Sequence, residues 1–368
     1  MLRNLERSGT ESSLAPGDER EHRGLRKPAR WVAPLLRRSV ELAERWLQAG
    51  AARGPDGLLS DLETPVERPA GIRLRRFAGT ERHARQLAHP LRVAHLTDLH
   101  VGRVTPMRVE RAAMALVNAQ GPDLVVITGD FVCHSQEYLD ALEELLVSLD
   151  APTVGVLGNH DHWSGSQEVR RALRRSGVEV LDNAHTVLTL RGERLQIVGL
   201  DDAYTGHADR DRATKGLRRD LPTLGLSHIA EEADGLWARQ VPLVLSGHTH
   251  AGQVTLAGLH ELALGRLAGH RYIHGLYGVR QEHERQGALY VGAGIGASVV
   301  PLRLGERGRR EVTVFELGIS PGAFAEHHGE QAALPGRPLS AAKRARRAAK
   351  VARNARKRAA HETPKRNR

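Results

Sequence analysis

Leu91-Arg92-Val93-Ala94-His95-Leu96-Thr97-Asp98-Leu99-His100 is an apolar run that stops at two polar side chains one residue apart. Leu91–Leu96 predicts a strand. Asp98 and His100 leave its end on the same side, because alternate residues of an extended chain share a face. The same pattern recurs downstream. Gly129-Asp130 follows Leu124–Ile127, and Gly158-Asn159-His160-Asp161 follows Val154–Leu157. Ser227-His228 follows Leu224–Leu226, and Gly247-His248-Thr249-His250 follows Leu243–Leu245. Helical patterns near 106–119, 135–149 and 166–176 separate the first runs. Further strands are predicted at Asp123–Thr128, Thr153–Leu157, Leu195–Leu200, Val241–Ser246, Ala288–Val291 and Glu311–Leu317. Apolar runs bounded by Gly and Asp predict central strands buried on both faces. Their alternation with helices predicts a layered α/β architecture.

In open α/β sheets, ligands bind at the carboxyl ends of the strands, where all five polar clusters fall. Each cluster supplies carboxylate or amide oxygen, or imidazole nitrogen. That donor set suits Mn²⁺, Fe or Zn²⁺ better than Ca²⁺. Glycines at 129, 158 and 247 permit the tight turns that bring side chains close to an ion. Taken singly, a D-x-H is weak, and a G-N-H-D is more often a turn in which Asn and Asp bond their own backbone. Five clusters in order, each at a strand-to-loop junction, point to a metal site.

The series resembles the calcineurin-like metallophosphoesterases over about residues 90–317. More narrowly it resembles a bacterial branch with UDP-2,3-diacylglucosamine diphosphatase-type and related membrane-associated phosphohydrolases. Val198-Gly199-Leu200-Asp201-Asp202, Ser246–Gln253, Gly275-Leu276-Tyr277 and Gly292–Pro301 add to that likeness. The resemblance implies a four-layer α/β/β/α sandwich and two divalent metal ions. One ion would be held by Asp98, His100, Asp130 and His250. The other would be held by Asp130, Asn159, His228 and His248, with Asp130 and a solvent hydroxide bridging the pair. It also implies that His160 protonates the leaving group or stabilises phosphoryl charge. Asp161 would orient His160 or, alternatively, cap a helix. Where many relatives carry an acid three positions after the bridging Asp, this chain has Cys133, then His134. That departure bears on substrate preference and local geometry, and an idle thiol is the plainer reading. Asp201, Asp202 and Gln253 stay outside the expected ligand set. The pocket-loop residues Tyr204, His207, His270, Tyr272 and His274 identify no ligand.

The remaining sequence frames this body. Hydrophobic residues make up 40% of 368, enough for one large domain, here expected at 70–318. The single cysteine excludes an intramolecular disulfide and a Cys-based zinc site. Residues 1–30 are polar, lack periodicity and predict disorder, with no signal-peptide pattern. Trp31, Val32, Leu35, Leu36, Val40, Ala43, Trp46 and Leu47 predict an amphipathic helix at 31–49 within a 31–69 extension. No run is long enough to span a membrane, so the default location is the cytoplasm. From Arg337 to Arg368 there are 13 Lys and Arg against one acid, Glu362. That excess outweighs the whole chain's +11, so the body is near neutral. Residues 319–368 thus form a linker and a basic tail. Its helical propensity at 339–360 comes with nothing to hold it against a core. Such a tail suits peripheral contact with an anionic membrane, as the 31–49 helix does, or non-specific nucleic-acid binding. The expected function is metal-dependent hydrolysis of a phosphate ester or pyrophosphate on a small or lipid-linked substrate. The alternatives are a nucleic-acid phosphodiesterase recruited by the tail, and a non-catalytic scaffold that retains the metal site.

Overall fold

The computed structural model describes residues 71–252, 268–281, 286–298, 308–336 and 341–362, with residues 264, 283 and 303. The expectations for 1–30 and the 31–49 helix fall outside these residues, as does Gln253. One sheet runs β1 (Arg73–Ala78), β12 (Glu311–Leu317), β2 (Leu91–Leu96), β3 (Leu124–Thr128), β4 (Thr153–Val156), β5 (Val178–Val180). The other runs β10 (Gly275–Gly278), β11 (Ala288–Val291), β9 (Leu243–Ser246), β8 (Thr223–Leu226), β7 (Glu193–Gly199), β6 (Ala184–Leu190). Strands β2 to β5 are parallel, as are β7, β8, β9 and β11.

The strand sequences divide their side chains between layers with period two. Val93, Leu124, Val126 and Val154 of the first sheet meet Ile197, Leu224, Leu243 and Leu245 of the second in one buried, mainly apolar interface. The intervening residues Ala94, Leu96, Val125 and Ile127 face outward. After the short α1 (Glu81–Gln86) come three longer helices, α2 (Met107–Asn118), α3 (Leu139–Val147) and α4 (Asn159–Arg175), and the outward residues pack on these three. On the far side, Val198, Val244 and Leu289 pack under α5 (Arg210–Thr214) and α6 (Ala233–Trp237). The result is the four-layer α/β/β/α arrangement. Because both faces of the central strands are buried, their carboxyl ends are left as the natural place for polar chemistry.

Two local differences from the expected elements matter. Helix α4 begins at Asn159 rather than near 166, and its break lies at Gly165, with φ of 106°. Asp161 sits three residues into the helix and accepts from Gly158 N at 2.9 Å, which starts the helix early. The basic tail forms α7 (Ala341–Glu362), and polar contacts hold it to the body. Buried Asn354 donates to Thr205 O and Gly206 O at 3.1 and 3.0 Å, and Lys350 Nζ donates to Tyr204 O at 3.3 Å. The docking is polar, which hydrophobic periodicity does not reveal. No described helix is long and apolar enough to cross a membrane.

Candidate active site

Asp98 and His100 follow β2, Asp130 follows β3, and Asn159 and His160 follow β4. His228 follows β8, and His248 and His250 follow β9. Two sheets thus present one end to a common point. Asp98, His100 and His250 bring their ligand atoms together, as do Asp130, His228 and His248. His250 Nε2 is 3.3 Å from Asp98 Oδ1 and 3.0 Å from His100 Nε2. Asp130 Oδ2 lies 3.5 Å from His100 Nε2 and 3.3 Å from His228 Nε2, so a single oxygen touches both groups. Asn159 Oδ1 is 3.2 Å from His228 Nε2. His228 Nδ1 contacts Thr128 O at 2.7 Å, which fixes the ring with Nε2 turned inward.

The backbone bends to make this possible. Ten described non-glycine residues have positive φ, and Asp98, His100, Asp130, His248 and His250 are five of them. Such conformations cost about 1–3 kcal/mol each and persist where surrounding structure enforces them. Close approach also demands glycine. A Cβ on Gly247 would stand 1.9 Å from Thr97 Oγ1 and 2.4 Å from Asp98 Oδ2, and one on Gly158 would stand 2.2 Å from Asp130 Oδ1.

Burial drives His100 and His248 well below the ordinary imidazole range and lowers His250, so these rings are neutral near pH 7. Burial would raise Asp130, but the His228 imidazole beside it holds its carboxyl well below the usual range. Burial opposes charge on His228, yet the adjacent Asp130 raises it to about 10. Without a cation, His228 and Asp130 form an ion pair, and a bound cation would displace that proton. Two buried ring nitrogens facing each other at 3.0 Å, beside carboxylates, form a donor set that fits divalent metal ions.

Asp161 does not orient His160. Its Oδ1 accepts from Phe131 N at 2.9 Å and Val132 N at 3.2 Å, and its Oδ2 takes Gly158 N. Both oxygens are committed to backbone, so Asp161 ties the loop after β3 to the start of α4. His160 N donates to Asp130 Oδ1 at 2.9 Å, and its ring meets His100 edge-on with centroids 4.6 Å apart. Cys133 lies within ligand reach of His100 and His160, but burial raises its thiol, and its Sγ is directed to Ser298 O at 3.2 Å. Sequence reasoning missed Arg303, whose Nη2 is 3.3 Å from His250 Nδ1, and Thr97, whose hydroxyl donates to Asp98 Oδ2 at 2.8 Å. Neither sits in a recognisable spacing.

A separate group, His162, Asp201 and His207, has the composition of a metal site but not its geometry. The two imidazoles are nearly parallel, at 7° with centroids 4.2 Å apart, so their in-plane lone pairs cannot converge on one ion. His162 Nε2 instead pairs with Asp201 Oδ1 at 2.7 Å, and Arg170 Nη2 takes Asp201 Oδ2 at 3.2 Å. Asp201 is therefore a bracing residue.

Residues 91–252, from β2 through the His248–His250 turn, match the model of the calcineurin-like phosphoesterase family. Phosphodiesterase YaeI of Escherichia coli (strain K12) is 31% identical over 236 residues, covering 62% of this chain and 83% of that protein. The chain belongs to the calcineurin-like phosphoesterase family. YkuE of Bacillus subtilis (strain 168), an uncharacterized metallophosphoesterase, is 30% identical over 61% of this chain and 78% of its own length. A 5'-nucleotidase precursor from Thermus thermophilus aligns with a TM-score of 0.42 and 16% identity, over 56% of this chain and 50% of that one. This metallophosphoesterase is a phosphoric ester hydrolase, and its substrate is phosphorylated.

Proposed function

We propose that the chain hydrolyses a phosphodiester or pyrophosphate at a dinuclear metal centre. Asp98, His100 and His250 would hold one divalent cation. Asn159, His228 and His248 would hold the other, and Asp130 would serve both. The observation that carries this reading is the one Asp130 oxygen lying 3.5 and 3.3 Å from ring nitrogens of the two groups. Bound there, the cations supply Lewis acidity that acidifies water and offsets charge on a phosphoryl group. Mn²⁺, Fe and Zn²⁺ suit the mixed oxygen and imidazole donors. His160 stands beside this point with a ring that burial keeps neutral, and its N–H is available to a leaving-group oxygen. Asp161 fixes the two loops that carry Asp130 and His160. The E. coli relative is named a phosphodiesterase, which favours a diester.

The test is metal content together with Mn²⁺-stimulated cleavage of bis(p-nitrophenyl) phosphate and p-nitrophenyl phosphate. Two metal equivalents and faster diester cleavage are expected, with Asp130→Ala slower by about a thousandfold or more. Equal rates for wild type and Asp130→Ala would overturn the site.

Peripheral membrane contact is the finer proposal for the tail. It is supported by Arg346, Arg353, Arg356 and Lys357, all exposed on α7. Sedimentation with anionic but not neutral vesicles, lost on deleting 341–362, is the expected result. Retention on RNA alone would favour nucleic acid instead.

A further inference from the structure

Four large apolar side chains are prominently exposed among the described residues: Val147, Trp163, Tyr204 and Val351. Trp163 and Tyr204, 52% and 56% exposed, stand together, with ring centroids 6.0 Å apart at 80°. They also link the two candidate ligand groups. His160 lies 4.6 Å from His100 and 4.9 Å from Trp163, and Tyr204 lies 5.5 Å from His248. The rings form an arc from one group to the other. His134 runs parallel to Trp163, at 3° and 5.8 Å, and extends that wall.

Both aromatics are held on braced backbone. After Trp163, Ser164 O accepts from Gln136 Nε2 at 2.8 Å, next to the Gly165 break. Asp202 accepts from Tyr204 N at 3.1 Å and from both Thr205 N and Thr205 Oγ1 at 2.6 Å. On the other side, α7 holds the carbonyls of Tyr204, Thr205 and Gly206 through Lys350 and Asn354. About half of each of these two residues is left open to solvent. Rigid aromatics at a mouth present area to a partner at low entropic cost.

The polar groups nearby narrow what that partner is. Asp161, Asp201 and Asp202 spend their oxygens on backbone N–H groups, His162, Arg170 and Thr205, and Asn159 spends its oxygen on His228. A polyol would need such acceptors for its hydroxyls. A planar heteroaromatic ring needs a face to stack on and an edge to meet, and rings set at 80° offer both. Resting on the dinuclear reading, we infer that Trp163 and Tyr204 form a stacking subsite for a nucleobase carried on the phosphate that the metal centre holds.

The test compares adenosine 5'-phosphorothioate with ribose 5-phosphorothioate, which lacks only the base. Both resist turnover, and both are titrated calorimetrically into the full-length protein with Mn²⁺. The nucleotide should bind about tenfold tighter or more. Trp163→Ala and Tyr204→Ala should each erase that gap, and Trp163→Phe should keep most of it. A wild-type gap below about twofold, or one that survives in both alanine variants, overturns the subsite. Glucose 1-phosphorothioate binding as tightly as the nucleotide also overturns it, and would assign the wall to sugars. The two readings fail separately. Diester cleavage without a base-dependent gap removes the subsite alone. A gap without any hydrolysis removes the catalytic reading alone.

Discussion

Glu311 and Asp130 are both carboxylates sealed inside the sandwich, yet their surroundings are opposite. Glu311 is met by donors: Arg75 Nε at 2.6 Å, Tyr290 OH and Ala293 N at 2.9 Å, and His274 Nε2 at 3.0 Å. It lies in the regular strand β12, and its carboxyl is held well below the usual range: burial opposes the charge, and His274 and Arg75 more than compensate. Asp130 lies in a left-handed kink, and its Oδ2 faces two imidazole nitrogens, that of His100, which burial keeps neutral, and that of His228, which the carboxylate itself holds protonated. The first cluster is complete as folded. The second, on the dinuclear reading, gathers its donors for cations. A buried polar group that satisfies itself is architecture, and one that does not is a place for a ligand.

The comparison breaks most visibly in activity. Asp130→Asn should cost about a thousandfold or more in diester cleavage. Without metal it should cost less stability than Glu311→Gln, because His228 can shed the proton that Asp130 holds on it, whereas a guanidinium stays charged. A metal-free loss as large as that of Glu311→Gln would mean that the open cluster is structural after all.

Glu311→Gln should do the reverse. It removes the carboxylate that the buried Arg75 guanidinium meets at 2.6 Å, and removing one partner of a buried pair costs about 3–5 kcal/mol. Metal content should not change. The pH dependence has a definite sign. Glu311 is held below its ordinary 4.5, so its stabilisation is fully present above about pH 4.5 and is lost as pH falls toward its folded value. Chemical denaturation at pH 7 and pH 3 should show the wild-type advantage shrinking at the lower pH. A constant gap would remove the ionic account.

What was legible in the sequence follows the same division. The turns that carry the candidate ligands were readable because each motif is local and ends an apolar central strand. Edge strands were not. β1 reads Arg-Leu-Arg-Arg-Phe-Ala, and its partner β12 lies more than 230 residues on, with Arg73 opposite Glu311. The half-buried β6 lacks an apolar run for the same reason: it covers one side of β7 at a sheet edge. Asp161 was readable as a polar residue near the site. Its true partners, Phe131 N and Val132 N, are about thirty residues away and invisible to spacing. The docking of α7 rests on Asn354 and Lys350, so no hydrophobic stripe announces it. Trp163 and Tyr204 carry no motif, and only their position on the arc of rings sets them apart.

Glu110 sharpens the comparison at its smallest step. It is buried on α2, both of its oxygens lack a hydrogen-bond partner among the described residues, and burial pushes its carboxyl up to about 8 against a partial offset from Arg310. It is neither complete like Glu311 nor placed among metal-capable donors like Asp130. The folded chain holds this proton up to about pH 8, whereas the unfolded chain releases it near 4.5, so stability falls as pH rises between those values. Glu110→Gln removes that liability while keeping the shape. It should match wild type at pH 4 and exceed it at pH 9, with no effect on metal content. Denaturant midpoints at the two pH values decide the matter. If Glu110→Gln is instead less stable at pH 9, the carboxylate has a partner in the folded protein. An empty surround would then no longer separate a ligand site from ordinary architecture, and the case for the Asp130 cluster would rest on its paired imidazoles alone.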